Sequence, residues 1–205
     1  TATSGNRLGV SSNGDDNTLV GYRAGYTIQG AAYSNTIVGS QAGDAATTST
    51  NLTLIGKGAG STINSTDADG TVLVGTYSGT ALTEGQYNTG IGYATLQDLT
   101  TGDANTVLGY NAAKELITGS DNVVIGTSAF ATANTNESRN VAIGRNALAA
   151  LDVNSGGGGS DSFIYDVVVG YNAGTAITSG HNTTLIGALA GDAITSGNSN
   201  TVLGY

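Results

Sequence analysis

Proline, cysteine, methionine and tryptophan are all absent from this 205-residue chain, and histidine occurs once. Without cysteine there is no disulfide scaffold, no thiolate zinc site and no thiol redox chemistry. Without proline there is no collagen-like repeat. Charge is scarce as well: 10% of residues, 15 acidic against 6 basic, for a formal net charge of -9. A surplus of negative charge repels phosphate backbones and anionic membranes, so nucleic acid is not an expected partner. No run of eighteen apolar residues and no charged-then-apolar leader occurs, so neither membrane insertion by this segment nor a signal peptide is expected. The lone His181 lies in a Ser-Gly-His-Asn turn among Asn, Thr, Ser and Gly. That leaves no convergent partner for a metal or a catalytic dyad. With no nucleophile elbow and no phosphate loop either, an enzyme is not expected, nor any cofactor. Leu, Ile, Val and Phe together make up only about one residue in five, near the level at which a chain struggles to bury enough apolar surface to fold.

What the chain does have is glycine, 33 residues of it, and most of that glycine is periodic. A short aliphatic stretch ending in glycine recurs as NTLVG, NTIVG, LTLIG, TVLVG, NTGIG, NTVLG, NVVIG, NVAIG, DVVVG, TTLIG and NTVLG, with a degenerate NRLG ending at Gly9. The marker glycines are Gly9, Gly21, Gly39, Gly56, Gly75, Gly92, Gly109, Gly126, Gly144, Gly170, Gly187 and Gly204. Their commonest spacing is 17. Other columns keep register with them. Three residues on is a small residue (Ala24, Ala42, Ala59, Ser78, Thr95 and five alanines thereafter), seven on an aliphatic one in most copies (Ile28, Ile63, Leu82, Leu99), and ten on a second glycine (Gly85, Gly102, Gly119).

Units this short bury an apolar face only by stacking, so the repeat predicts an all-β, parallel β-solenoid of about 17 residues per coil over residues 1–205. At strands roughly 4.8 Å apart, about eleven steps give a rod on the order of 50 Å long. The residue before the marker is always aliphatic, and the one two before that is nearly always Thr or Val. The residue between them, on the opposite face, is mostly apolar too. A strand apolar on both faces is expected to be covered on both. One thin coil has a single interior, so sister chains are the expected source of the second cover, with closed three-fold symmetry as the first choice. The aliphatic anchors at minus one and plus seven are eight apart, not six, which favours a flattened roll of two strands per coil over a hexapeptide β-helix. The chain opens on Thr1 and stops at Tyr205 directly after a strand pattern, and so reads as a fragment of a longer fibre.

The units NVAIGRNAL (from Asn140), NVVIGTSAF (from Asn122) and NTVLGYNAA (from Asn105) closely resemble the repeat of YadA-like heads in trimeric autotransporter adhesins. Similar repeats occur in phage tail fibres and in surface fibres of predatory bacteria, and the resemblance covers the chain from about Asn6 to Tyr205. It implies a left-handed β-roll, an intertwined homotrimer, and an extracellular place on a cell surface or virion fibre. The implied role is adhesion to a glycan or protein on a host, prey or matrix surface. The unit here is longer than the adhesin repeat, so the outer half of each coil is expected to be extended.

Several positions are candidate contacts. The step from Gly144 to Gly170 carries an insertion at about 152–166, reading SGGGGSDSFIYD from Ser155. Insertions in solenoids map to surface loops, and Asp161, Phe163 and Tyr165 offer an acceptor and aromatic area for a sugar or peptide. A tolerated flexible loop is the plain alternative. Gly156 to Phe163 also fits one calcium-binding nonapeptide, which needs tandem copies to make a site. Asp67 and Asp69 form an acidic turn of the kind short polar side chains cap. Tyr22, Tyr93, Tyr110 and Tyr171 follow marker glycines and fall in one row, either a polysaccharide-binding ladder or a cover for the edge of the roll. The column Thr18, Thr36, Thr89, Thr106, Thr201 suggests an ice-binding lattice, an alternative that requires those threonines to be exposed on strands read here as buried.

Overall fold

The computed structural model describes residues 16–29, 32–65, 68–133, 136–151 and 165–205. Eleven three-residue strands lie within them: β1 (Thr18–Val20), β2 (Thr36–Val38), β3 (Thr53–Ile55), β4 (Val72–Val74), β5 (Thr89–Ile91), β6 (Thr106–Leu108), β7 (Val123–Ile125), β8 (Val141–Ile143), β9 (Val167–Val169), β10 (Thr184–Ile186) and β11 (Thr201–Leu203). They form one sheet in chain order. All pairings are parallel and follow the repeat register, from Thr18 opposite Thr36 to Ile186 opposite Leu203. The molecule is a β-solenoid of about ten turns, as the marker spacing predicts.

Each coil has one strand where the sequence reading expects two. The rest of the coil passes through left-handed backbone at fixed columns: two after the marker (Arg23, Gln41, Tyr77, Asn111), four after it (Gly25, Gly43, Leu96, Phe130) and five before it (Ser34, Tyr87, Arg139). These residues have φ between 50° and 64° in place of the extended value a strand needs. Stacking continues through the turns without a second strand, as in Gly43 N–H to Ala59 O at 2.9 Å and Gln41 N–H to Tyr22 O at 2.7 Å. The marker glycines from Gly21 to Gly204 lie at φ 131–151°. A Cβ on any of them from Gly21 to Gly187 would run into the next marker's carbonyl, so the column has no room for a side chain.

The interior is lined by the middle residue of each strand, two before the marker, and by the columns three and seven after it. Leu19, Ile37, Leu54, Leu73, Val107, Val124, Val168 and Leu185 are buried, with Ala24, Ala42, Ala59, Ile63, Leu82 and Leu99 facing them. The anchor is therefore at minus two, not minus one. The aliphatic residue before the marker points outward, because adjacent strand residues face opposite ways.

A further column, four after the marker, completes the core in two ways. In six coils that position is glycine: Leu19 with Gly25, Ile37 with Gly43, Leu54 with Gly60, Leu73 with Gly79, Val168 with Gly174, Leu185 with Gly191. A Cβ on Gly79 would lie 2.5 Å from Leu73 Cδ1, and one on Gly25 2.9 Å from Leu19 Cδ2. In four others the turn carries a side chain. Gly90 is matched by Leu96, Val107 by Ala113, Val124 by Phe130 and Ala142 by Leu148, and all four turn residues are fully buried.

Four before the marker runs a ladder of polar side chains. Asn105 Nδ2 donates to Asn88 Oδ1 at 3.0 Å and to Gly119 O at 2.8 Å. Its backbone N–H also reaches Asn88 Oδ1 at 3.0 Å. Asn122 repeats this on Asn105, and Asn140 donates in the same way to Asn122 Oδ1. These buried side chains satisfy one another and the backbone along the rod, as buried polar groups must.

Candidate functional surface

The outward residues of the eleven strands form one face made of two columns. The aliphatic column includes Ile55, Ile91, Leu108 and Ile186, which are 39%, 40%, 45% and 42% exposed. Beside it runs a column of Thr and Val, in which Thr18, Thr106 and Thr201 are exposed and Thr36 and Thr89 half-buried. One chain covers one face of each strand, as expected of a coil with a single interior. The inner face is the core and the outer face is open. The threonine column, read from sequence as buried, lies on that open face.

Tyrosines border the face on both sides. Beyond the marker, Tyr22, Tyr93, Tyr110 and Tyr171 are about half exposed, and Tyr87 and Tyr165 are exposed on the other margin, five before the marker. The row of tyrosines predicted from sequence is interrupted: Ser40, Lys57 and Thr76 separate Tyr22 from Tyr93, while Arg145 and Ala188 flank Tyr171. Only Tyr93 and Tyr110 meet, stacked with centroids 5.3 Å apart and planes 13° from parallel. Tyr77, from the preceding coil, meets Tyr93 edge-on at 6.2 Å, and the Lys57 ammonium sits 5.5 Å from the Tyr77 ring. This cluster of three rings and one cation is the densest aromatic group among the described residues. At the rod's start, Arg23 lies 4.6 Å from the Tyr26 ring and 2.9 Å from Asp44. Its hydrogen bond and charge contact with Asp44 hold the guanidinium more firmly protonated.

Of the insertion candidates, Asp161 and Phe163 lie outside the described residues, as do the glycine run of the calcium-like motif and Asp67. Tyr165 is described, and it belongs to a corner network. Arg139 Nη1 donates to its hydroxyl at 3.3 Å, and Asp121 approaches Arg139 at 3.5 Å. Asp69 clamps two coils, accepting from Thr50 N–H and Thr50 Oγ1, each at 2.6 Å. His181 N–H donates to Asn198 Oδ1 at 3.3 Å, placing this residue in a turn bonded to the next coil. Among the described residues no group of three His, Cys, Asp or Glu side chains converges as for a metal ion, and no helix is long and apolar enough to cross a membrane.

What the sequence reading missed is the direction in which the strands face. Both strand faces are apolar, so alternation carries no sign. The glycine column at plus four is the signal that would have settled it, since each strand centre that is Leu or Ile has glycine there. The solenoid and its open, tyrosine-bordered sheet define a structural repeat domain. The chain matches no family model, no curated protein and no solved structure.

Proposed function

We propose that this chain is a structural and adhesive segment of a homotrimeric extracellular fibre, of a cell surface or a virion, with no enzymatic activity. In this reading the open faces of three copies cover one another. The surface turns and the 152–166 segment contact a glycan or protein on a host, prey or matrix surface. The observation that carries the reading is the continuous aliphatic column from Val20 to Leu203 on the outside of a fully stacked sheet. Contiguous exposed apolar surface of this kind marks an interaction site, and a face repeated along a straight rod pairs naturally with an identical rod. The repeat's likeness to trimeric adhesin heads agrees with it.

Light scattering tests the assembly. The wild type is expected at three times the 20.2 kDa chain mass, and Ile91→Asp with Leu108→Asp is expected to give monomers with unchanged circular dichroism. A monomeric wild type overturns the trimer.

A second reading is favoured by one observation, the exposure of Thr18, Thr106 and Thr201 beside the aliphatic column on one face. A single rod presenting that lattice to ice or to an ordered polysaccharide is a binding solenoid and not a fibre shaft. Thermal hysteresis by a monomeric wild type, abolished by Thr106→Lys, selects it.

A further inference from the structure

The ladder of Asn88, Asn105, Asn122 and Asn140 has Asp166 as its next rung. Each asparagine accepts through Oδ1 from the following rung. Through Nδ2, Asn105 and Asn122 donate both to the previous Oδ1 and to a backbone carbonyl of their own coil. Asp166 keeps the accepting half. Its N–H donates to Asn140 Oδ1 at 3.0 Å, and its Oδ1 accepts from Thr183 N–H at 2.7 Å. Oδ2 takes the place of the amide nitrogen, fully buried and with no hydrogen-bond partner. In the repeat register the groups offered to that place are Asn140 Oδ1 and Gly180 O, by analogy with Asn88 Oδ1 and Gly119 O at Asn105. Both are acceptors. An ionised carboxylate meets them with another acceptor, whereas a protonated one donates as the amide does.

We propose that Asp166 is a proton-binding rung: as a neutral carboxylic acid it completes the ladder across the coil that follows the insertion, and loss of its proton loosens that coil. The rungs packed on either side, Asn140 and Thr183, are uncharged. Among the described residues, the titratable or charged groups on this and the neighbouring coils are Arg139 and Asp121, which lie against each other at the exposed corner, Tyr165 against Arg139, buried Glu137, His181 two residues before Thr183, and Arg145, Tyr171 and Asp192, exposed on the turns that follow the markers. Asp152 and Asp161 of the insertion lie outside the described residues. Desolvation raises the Asp166 carboxyl from 3.8 to about 7, partly opposed by the Thr183 N–H. The folded-state pKa thus exceeds the unfolded one, and the folded chain keeps a proton that the unfolded chain has already released. The contribution to stability is full below pH 3.8 and is lost as pH rises through about 7.

Denaturant unfolding from pH 5 to 8.5 tests this. For wild type, the folding equilibrium constant is expected to fall by about tenfold per pH unit up to neutrality. Asp166→Asn, which restores the amide, is expected to be flat over the same range and more stable than wild type at pH 8. Amide exchange at Thr183 in the wild type is expected to accelerate at high pH beyond its intrinsic base catalysis, and His181→Ala is expected to keep the wild-type slope. Equal slopes in wild type and Asp166→Asn, or a slope abolished by His181→Ala, overturn the proposal.

Discussion

The four central coils, β5 to β8, and the coils on either side fill the same cross-section from opposite walls. In the flanking coils the strand supplies the bulk and the turn gives way to glycine, as in Leu73 with Gly79. In the centre Leu96, Phe130 and Leu148 fill the space from the turn, paired with Gly90, Val124 and Ala142. Those turn residues sit at φ 50°, 54° and 52°, a left-handed conformation that costs an L side chain about 1–2 kcal/mol. They hold it because burying a large apolar side chain contributes about 1.5–3 kcal/mol. Packing outweighs backbone preference wherever the opposite wall leaves room. The polar ladder divides the same way: asparagine at every rung from Asn88 to Asn140 in the centre, but Leu52 and Thr71 in its place before it and Asp166 and Thr183 after it.

Three pairs of substitutions would break or sharpen this contrast. Leu148→Gly converts a central coil's turn to the flanking type and leaves a cavity beside Ala142. It is expected to cost about 4 kcal/mol in denaturant unfolding. Ala142→Leu, harmful alone through overpacking, should recover much of that loss in the double variant, because it recreates the Leu73–Gly79 arrangement. Additive losses in the double-mutant cycle would falsify the idea that the two walls share one volume. Next in size, Asn105→Ala strips partners from Asn122 N–H and Nδ2 and from Gly119 O. A loss of about 3 kcal/mol is expected. Asn35→Ala should cost less, since the rung beyond it, Leu52, loses only one backbone bond to Asn35 Oδ1. Smallest is the contrast within the plus-four column. Gly79→Ala places a methyl against Leu73 in left-handed backbone and is expected to cost about 2 kcal/mol. Ala113→Gly trades a buried methyl for relief of the same strain and should fall within about 0.5 kcal/mol of wild type.

Much of the architecture was legible because identical environments select identical residues: the marker glycines, the alanines at plus three and the aliphatics at plus seven all read directly as columns. The plus-four column was not, because Gly79, Leu96, Ala113 and Phe130 share no residue type. Its rule appears only when each is set against its own strand centre. The missing second strand is hidden for a different reason. Arg23, Gln41 and Tyr77 adopt positive φ through stacking on neighbouring coils, which their side chains do not announce. The tyrosines share one column, and the spacing of the copies sets which rings meet: only Tyr93 and Tyr110 of that column occupy successive coils.

The in-register pairing of β1 to β11 has a mechanical consequence. The bonds that join one coil to the next point along the rod, so a pull applied at its ends loads the rungs in series, and one coil opens at a time. Each coil that opens replaces roughly 4.8 Å of rod with 17 residues of slack, roughly 55–60 Å when drawn straight. A tether built this way lengthens more than tenfold before it goes taut, dissipating load coil by coil.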